Sequence, residues 1–182
     1  MIEVEVKAKI DSFDIMRKRL ENLNAKKVKT EYQEDIYFNS PVCDFVETDE
    51  ALRIRKTKTD TYEKIFITYK GPKIDSESKT RKEVEMEIED GNKCKKIFEN
   101  LGFKEVRTVI KNREYYKIEN YEISLDDIKG LDQYMEIEIT LEDGSDYTEA
   151  QKSIFEMFKK LGIIDGFERT SYLELLENKD KQ

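Results

Sequence analysis

Acidic side chains recur in pairs two residues apart: Glu3 and Glu5, Glu83 and Glu85, Glu136 and Glu138. Basic pairs repeat the spacing, with Arg53 and Arg55 in Ala-Leu-Arg-Ile-Arg and Lys111 and Arg113 in Ile-Lys-Asn-Arg, while Lys70 closes Ile-Thr-Tyr-Lys. In an extended strand residues i and i+2 share a face, so each pair sets like charges side by side, which repel and gain nothing in return. A solvated sheet face usually intersperses the signs, although a strand with one wet face is the alternative reading. A shared ligand gives the sorted charges a purpose. Carboxylates offer oxygens to Mg²⁺ or Mn²⁺, and arginine and lysine neutralise the charge left on a phosphate chain, arginine through bidentate forks. A metal-triphosphate satisfies both sets at once. Neither GxxxxGK[ST] nor GxGxxG occurs, so side chains rather than a glycine-rich loop must do the binding. Histidine is absent, which leaves carboxylates, lysine, tyrosine or metal-bound water for any proton transfer.

The elements that must carry these residues follow from periodicity. Over residues 2–10, Ile2, Val4, Val6, Ala8 and Ile10 alternate with Glu3, Glu5, Lys7 and Lys9, a strand pattern. Asp11 or Ser12 caps a helix of about ten residues ending near Asn24. Further strands are expected at about 26–38, 51–57, 62–70, 80–89, 104–117, 120–128 and 132–141, with helices at about 91–101 and 146–161. Short connections such as Glu119-Asn120 and Lys129-Gly130 favour antiparallel neighbours, since parallel pairing needs long crossovers. Residues 71–79 read as a mobile loop, residues 1–176 as one domain, and 177–182 as a frayed tail.

Sliding residues 3–38 onto 81–116 without a gap aligns Glu5 with Glu83, Val6 with Val84, Ile10 with Ile88, Glu21-Asn22-Leu23 with Glu99-Asn100-Leu101, and Tyr37 with Tyr115. A strand-helix-strand unit used twice would bring Glu5 and Glu83 to one closed lumen.

Composition narrows the partners. Charged residues make up 41% of the 182 and the net charge is −8, which argues against a general nucleic-acid or membrane binder, both of which need a basic face. Cys43 and Cys94 have no metal-ligand spacing and read as inert thiols of a reducing compartment. No apolar run approaches a signal or membrane-spanning length. The expectation is a soluble cytoplasmic protein acting on a nucleoside or inorganic triphosphate, with a homodimer compatible.

The ordered set Glu3-x-Glu5-x-Lys7, Arg53-x-Arg55, Lys70-Gly71-Pro72, Arg81-x-Glu83-x-Glu85, Lys111-x-Arg113, Asp126 and Glu136-x-Glu138 resembles the CYTH or triphosphate tunnel metalloenzyme family, which joins class IV adenylate cyclases with thiamine and inorganic triphosphatases. The likeness runs from Ile2 to about Tyr172. It implies an α+β, mainly β fold: an eight-stranded antiparallel closed barrel with charged residues inward and helices packed outside. It also implies Glu3, Glu5, Glu136 and Glu138 as ligands of Mg²⁺ or Mn²⁺, joined by Glu85, with Asp126 as a further ligand or a water-positioning group. Lys7, Arg53, Arg55, Lys70, Arg81, Lys111 and Arg113 would clamp the phosphates, and Lys7, Asp126 and Arg113 would take part in catalysis. The stretch Lys70 to Arg81 is similar to the class IV cyclase (CyaB-like) branch, implying conversion of ATP to 3′,5′-cyclic AMP and pyrophosphate. A triphosphatase is the alternative, and a non-catalytic triphosphate sensor a third reading. Tyr37, Tyr115 and Tyr172 either line the tunnel or pack in the core. Glu87 and Glu89 are expected in solvent and Lys9 at the rim. Because like charges in a lumen repel until a ligand arrives, removal of Arg53 or Arg55 is expected to leave the empty fold intact or slightly more stable.

Overall fold

The computed structural model describes residues 2–74 and 80–181. In chain order the elements are β1 (Ile2–Ile10), α1 (Phe13–Asn22), β2 (Lys26–Asn39), α2 (Phe45–Thr48), β3 (Ala51–Lys58), β4 (Glu63–Lys70) and β5 (Arg81–Ile88). They continue with α3 (Gly91–Asn100), β6 (Lys104–Ile118), β7 (Tyr121–Ile128), β8 (Gln133–Leu141), α4 (Thr148–Lys160), β9 (Phe167–Glu168) and α5 (Tyr172–Asp180). Eight antiparallel strands run in the order β5-β4-β3-β2-β6-β7-β8-β1, and β1 returns to β5 to close a barrel. The closure is thin. Among the described residues only Ile2 with Lys82 and Glu3 with Arg81 pair across it, and beyond them Lys7 and Ala8 of β1 pair with β9 instead.

Alternation decides which side of the barrel is oily. Val4, Val6 and Ala8 of β1, Ile123 and Leu125 of β7, and Ile137 and Ile139 of β8 are buried on the outside, under Met16 and Leu20 of α1 and Ile154, Met157 and Phe158 of α4. Each such aliphatic side chain contributes roughly 1.5–3 kcal/mol of burial. A second cluster packs Phe38, Leu52 and Ile54 against Phe98 and Phe103, around α3. With the apolar positions spent outside, Glu3, Glu5 and Lys7 point inward.

The duplicated unit is visible in the architecture. The helices Phe13–Asn22 and Gly91–Asn100 occupy the aligned positions, capped by Ser12 and Asp90 and ended by Leu23 and Leu101. The residue that follows takes a left-handed backbone in both copies, Asn24 at φ 59° and Gly102 at φ 92°, conformations these residue types tolerate best.

Three elements lie beyond the sequence reading: α2, β9 and α5. The tail expected to fray from residue 177 is helical as far as Asp180. Its last turn is tied down where Lys179 Nζ donates to Gly130 O at 2.8 Å and Arg107 pairs with Asp180. Its start carries a reciprocal cap, with Glu174 N donating to Ser171 Oγ and Ser171 N to Glu174 Oε2. Tyr172 and Leu176 pack on Val109, Ile128 and Tyr134. Ser171→Ala should loosen α5 by about 1 kcal/mol, seen as faster amide exchange confined to α5; unchanged exchange there would show that packing alone holds it. Of the loop expected over 71–79, residues 75–79 lie outside the described residues; at its base Gly71 N donates to Lys82 O and Ile74 N to Thr80 O, both at 2.9 Å.

Candidate metal and phosphate site

Cross-strand partners share a face, so the register assembles the site. Glu3 lies opposite Thr140, Glu5 opposite Glu138 and Lys7 opposite Glu136. Ligand oxygens of Glu3, Glu5 and Glu138 lie within 4.8 Å of one another, a spacing a single cation could bridge. Lys70 holds the group together, its Nζ donating to Glu3 Oε2 at 2.8 Å and standing 2.7 Å from Glu83 Oε2. Burial opposes the charge of Glu3, but Lys70, together with hydrogen bonding to Glu5 and the charge of Arg53, brings that carboxyl down to about 2. Glu138 moves the other way: burial, with Glu3 and Glu5 beside it, pushes it up to about 8. Three carboxylates whose oxygens gather this closely make a hard oxygen donor set, which is the chemical argument that they fit a divalent ion.

The other expected metal carboxylates face different partners. Glu136 receives Arg113, and Glu85 accepts the Thr68 hydroxyl at 2.7 Å with Arg53 Nη2 at 3.8 Å. Glu87 and Glu89 are exposed, and Lys9 is at the rim, bridged to Asp132 at 2.7 Å.

The cations are built in, not loose. Arg55 grips Asp35 through Nε and Nη2, both at 2.6 Å, and Arg53 Nη1 approaches the same carboxylate at 3.7 Å. Burial would raise Asp35, yet Arg55 holds it well below the usual carboxylate range. Arg113 grips Asp126 in the same fashion, with Nε to Oδ1 at 2.6 Å, and its Nη2 reaches both Asp126 and Glu136. Burial works against its charge, but Asp126 and Glu136 keep it firmly protonated. Lys111 is buried with Asp126 at 3.8 Å and the Tyr172 ring centre at 5.0 Å; burial and then Arg113 press it down to about 7. Arg81 is buried at the β1–β5 seam opposite Glu3. The expectation that Arg55 could be removed at no cost is therefore corrected, because its loss strands a buried Asp35.

A cavity of about 560 Å³ takes in Glu3, Glu5, Arg53, Arg55, Lys70, Arg81, Glu85, Lys111, Arg113, Glu136 and Glu138. Lys7 and Asp126 lie behind Tyr172, which lines it. Lys7 Nζ sits 4.1 Å from the Tyr172 ring centre and donates to Thr170 O, while Tyr172 Oη donates to Asp126 Oδ2 at 2.8 Å. Tyr37 and Tyr115 line the cavity too. Sequence reasoning missed Asp35 and the buried pair Glu31 and Gln33, linked at 2.9 Å. Their signal was the alternation Glu31-x-Gln33-x-Asp35, the pattern that marks β1.

At several equivalent positions the two halves carry opposite signs, while Glu5 and Glu83 keep the same one. Asp35 faces Arg55 across β2–β3 as Arg113 faces Asp126 across β6–β7. Lys70 faces Glu83 as Glu138 faces Glu5, and Thr68 faces Glu85 as Glu136 faces Lys7.

Inside the closed antiparallel barrel, the oxygens of Glu3, Glu5 and Glu138 share one cavity with Arg53, Arg55, Arg81 and Arg113. The chain belongs to the CYTH domain family, whose model matches residues 1–172. MJ0240 of Methanocaldococcus jannaschii, provisionally named an adenylate cyclase, is 48% identical over 176 residues, 96% of this chain and 98% of its own. The PH1819 structure from Pyrococcus horikoshii superposes with a TM-score of 0.91 at 42% identity, covering 97% of this chain and 99% of that one. HpAC1 of Hippeastrum, provisionally named an adenylyl cyclase and described as having a dominant triphosphatase activity, shares the fold at a TM-score of 0.67 and 19% identity, over 97% and 96% of the two chains. No helix among the described residues is long and apolar enough to cross a membrane.

Proposed function

We propose that the cavity binds a triphosphate with Mg²⁺ or Mn²⁺ and that the chain converts ATP to 3′,5′-cyclic AMP and pyrophosphate. One observation carries the reading: the Glu3, Glu5 and Glu138 oxygens meet Arg53, Arg81, Lys111 and Arg113 in a single cavity. When bound at the carboxylates, the ion supplies Lewis acidity towards phosphate oxygens. Arg53 and Arg81 bind and orient the phosphates from the walls. Arg113, fixed by Asp126 and Glu136, presents its charge with no reorganisation left to make, which favours charge developing on the leaving pyrophosphate. Lys111, brought to about 7 by burial and Arg113, can hold or release a proton at Nζ near neutral pH. Tyr172 screens Lys7 and Asp126 from water on the far side.

The provisional name of MJ0240 and the cyclase-like stretch Lys70–Arg81 support cyclisation, although residues 75–79 of that stretch lie outside the described residues. The dominant triphosphatase activity of HpAC1 favours hydrolysis as the second reading, and the same clamp would serve it. Chromatography after incubation of the protein with ATP, and separately with inorganic triphosphate, each with either metal, should find cyclic AMP and pyrophosphate from ATP and leave inorganic triphosphate intact. ADP with phosphate, or consumption of inorganic triphosphate alone, would replace the cyclase with a triphosphatase. Binding without turnover would leave a sensor.

A further inference from the structure

The duplicated halves are covered unequally on the outside. The alignment that sets Glu5 on Glu83 also sets Val6 on Val84 and Ala8 on Met86. Cross-strand neighbours match as well, for Val6 lies opposite Ile137 and Ala8 opposite Met135, as Val84 lies opposite Tyr69 and Met86 opposite Ile67. On the β1–β8 pair all four side chains are buried, under α4, which lies across both strands. On the β4–β5 pair Val84 is 68% exposed, Met86 59% and Tyr69 38%. In the chain β8 leads on to α4, whereas β4 leads on to β5, and among the described residues no helix takes the place equivalent to that of α4.

Helix α3 borders the bare face. It lies across β3 and β6, and Lys95 on its β6 side pairs with Glu105. An α-helix turns about 100° per residue, so Ile97, two residues on, stands on the opposite flank, towards β4, and Leu101 follows one turn later on that flank. Ile97 is 57% exposed and Leu101 64%. The covered half shows what such a flank meets: Arg19, aligned with Ile97, donates through Nη1 to Leu161 O at 2.6 Å, at the end of α4. Val84, Met86, Tyr69, Ile97 and Leu101 therefore surround one place, filled in one half of the molecule and open in the other.

A contiguous apolar face of this kind marks an interface, and methionine and tyrosine are among the residues that interfaces favour. Charge selects the occupant. By alternation Lys82 shares the outer face with Val84 and Met86, and Glu63 shares it with Ile67 and Tyr69, at the opposite end of the strip. Glu63 also meets Lys56 at 3.1 Å, and Lys82 and Glu63 are both exposed. A second copy laid over the strip in the opposite direction brings Lys82 of each copy to Glu63 of the other, so the face is self-complementary, as an interface about a two-fold axis must be. An anionic membrane or a nucleic acid would instead meet a chain of net charge −8. We propose that the outer face of β4 and β5, together with the Ile97 flank of α3, is the surface through which two copies of this chain pair. Pairing through it is independent of what the cavity binds.

Sedimentation velocity of the full chain tests this for the wild type, for Val84→Lys with Met86→Lys, and for Ile15→Lys on α1, which packs over Ile123 and Leu125 on the far side of the barrel. Val84, Met86 and Ile15 are all exposed, so the fold should survive, as circular dichroism can check. The wild type should sediment at twice the 21.7 kDa of one chain, and the double variant as a monomer, its dissociation constant raised at least about a hundredfold by like charges set face to face. Ile15→Lys should remain a dimer. A monomeric wild type, a double variant still paired, or a dimer broken by Ile15→Lys overturns the interface. If the double variant does not fold, amide exchange of the wild type decides: protection lost on dilution should map to β4, β5 and α3, and loss confined to other elements overturns it equally.

Discussion

Glu5→Gln should cut turnover of the triphosphate substrate by at least about a hundredfold, beyond the loss that follows when a merely supporting neighbour of a metal ligand is changed. A chelator should abolish wild-type activity, and added Mg²⁺ or Mn²⁺ should restore it. Glutamine keeps the volume of glutamate and removes its charge, so a large effect reports coordination, not packing. The carboxylate group also ties the metal to pH. Glu138, pushed up to about 8 by burial and by the charges of Glu3 and Glu5, carries a proton at neutral pH. Its folded pKa stands above the ordinary 4.5, so its contribution to the stability of the metal-free protein is complete below that value and lost as pH rises through about 8. A cation that takes the proton's place binds better where the proton is already leaving. The rise in Tm on adding Mg²⁺ should therefore be larger at pH 8 than at pH 6. Full activity of Glu5→Gln in the presence of a chelator would sink the metal assignment.

Arg55→Ala should destabilise the protein by about 3 kcal/mol, the low end of the range for stripping one partner from a buried ion pair. Asp35 is 1% exposed and would lose both short bonds to Arg55, keeping Arg53 at the longer distance of 3.7 Å. Replacing the pair together, as Asp35→Leu with Arg55→Met, should recover most of the loss, because apolar residues of similar volume carry no desolvation cost. Urea unfolding of the three variants measures this directly. If Arg55→Ala unfolds at the wild-type midpoint, the pair has no structural role and Arg55 is held for the ligand alone.

The barrel was legible because alternation is local. Val4-x-Val6-x-Ala8 against Glu3-x-Glu5-x-Lys7 fixes which face is buried before any partner strand is known. The aligned helices were legible for the same reason. What the sequence could not show is register, which is set by residues far apart in the chain. Arg55 reads as one of two crowded cations until β2 places Asp35 against it, and the spacing of Glu136 gives no sign that Arg113 bonds to it. The short elements failed differently. A helix of nine residues such as α5 is marginal by itself and exists because Tyr172 and Leu176 find Val109 and Ile128. Its cap, Ser171 with Glu174, was the available signal.

The opposed signs of the two halves have an origin in the barrel's own symmetry. A two-fold assembly of identical units would have placed acid against acid and base against base at every matched position, and such a pore would meet both ends of a ligand alike. Two units within one chain can differ where two identical copies cannot. With Asp35 answered by Arg113, Arg55 by Asp126, Lys70 by Glu138 and Lys7 by Glu85, the lumen gained a direction, so that a linear polyanion entering it meets a keyed socket with distinguishable poles.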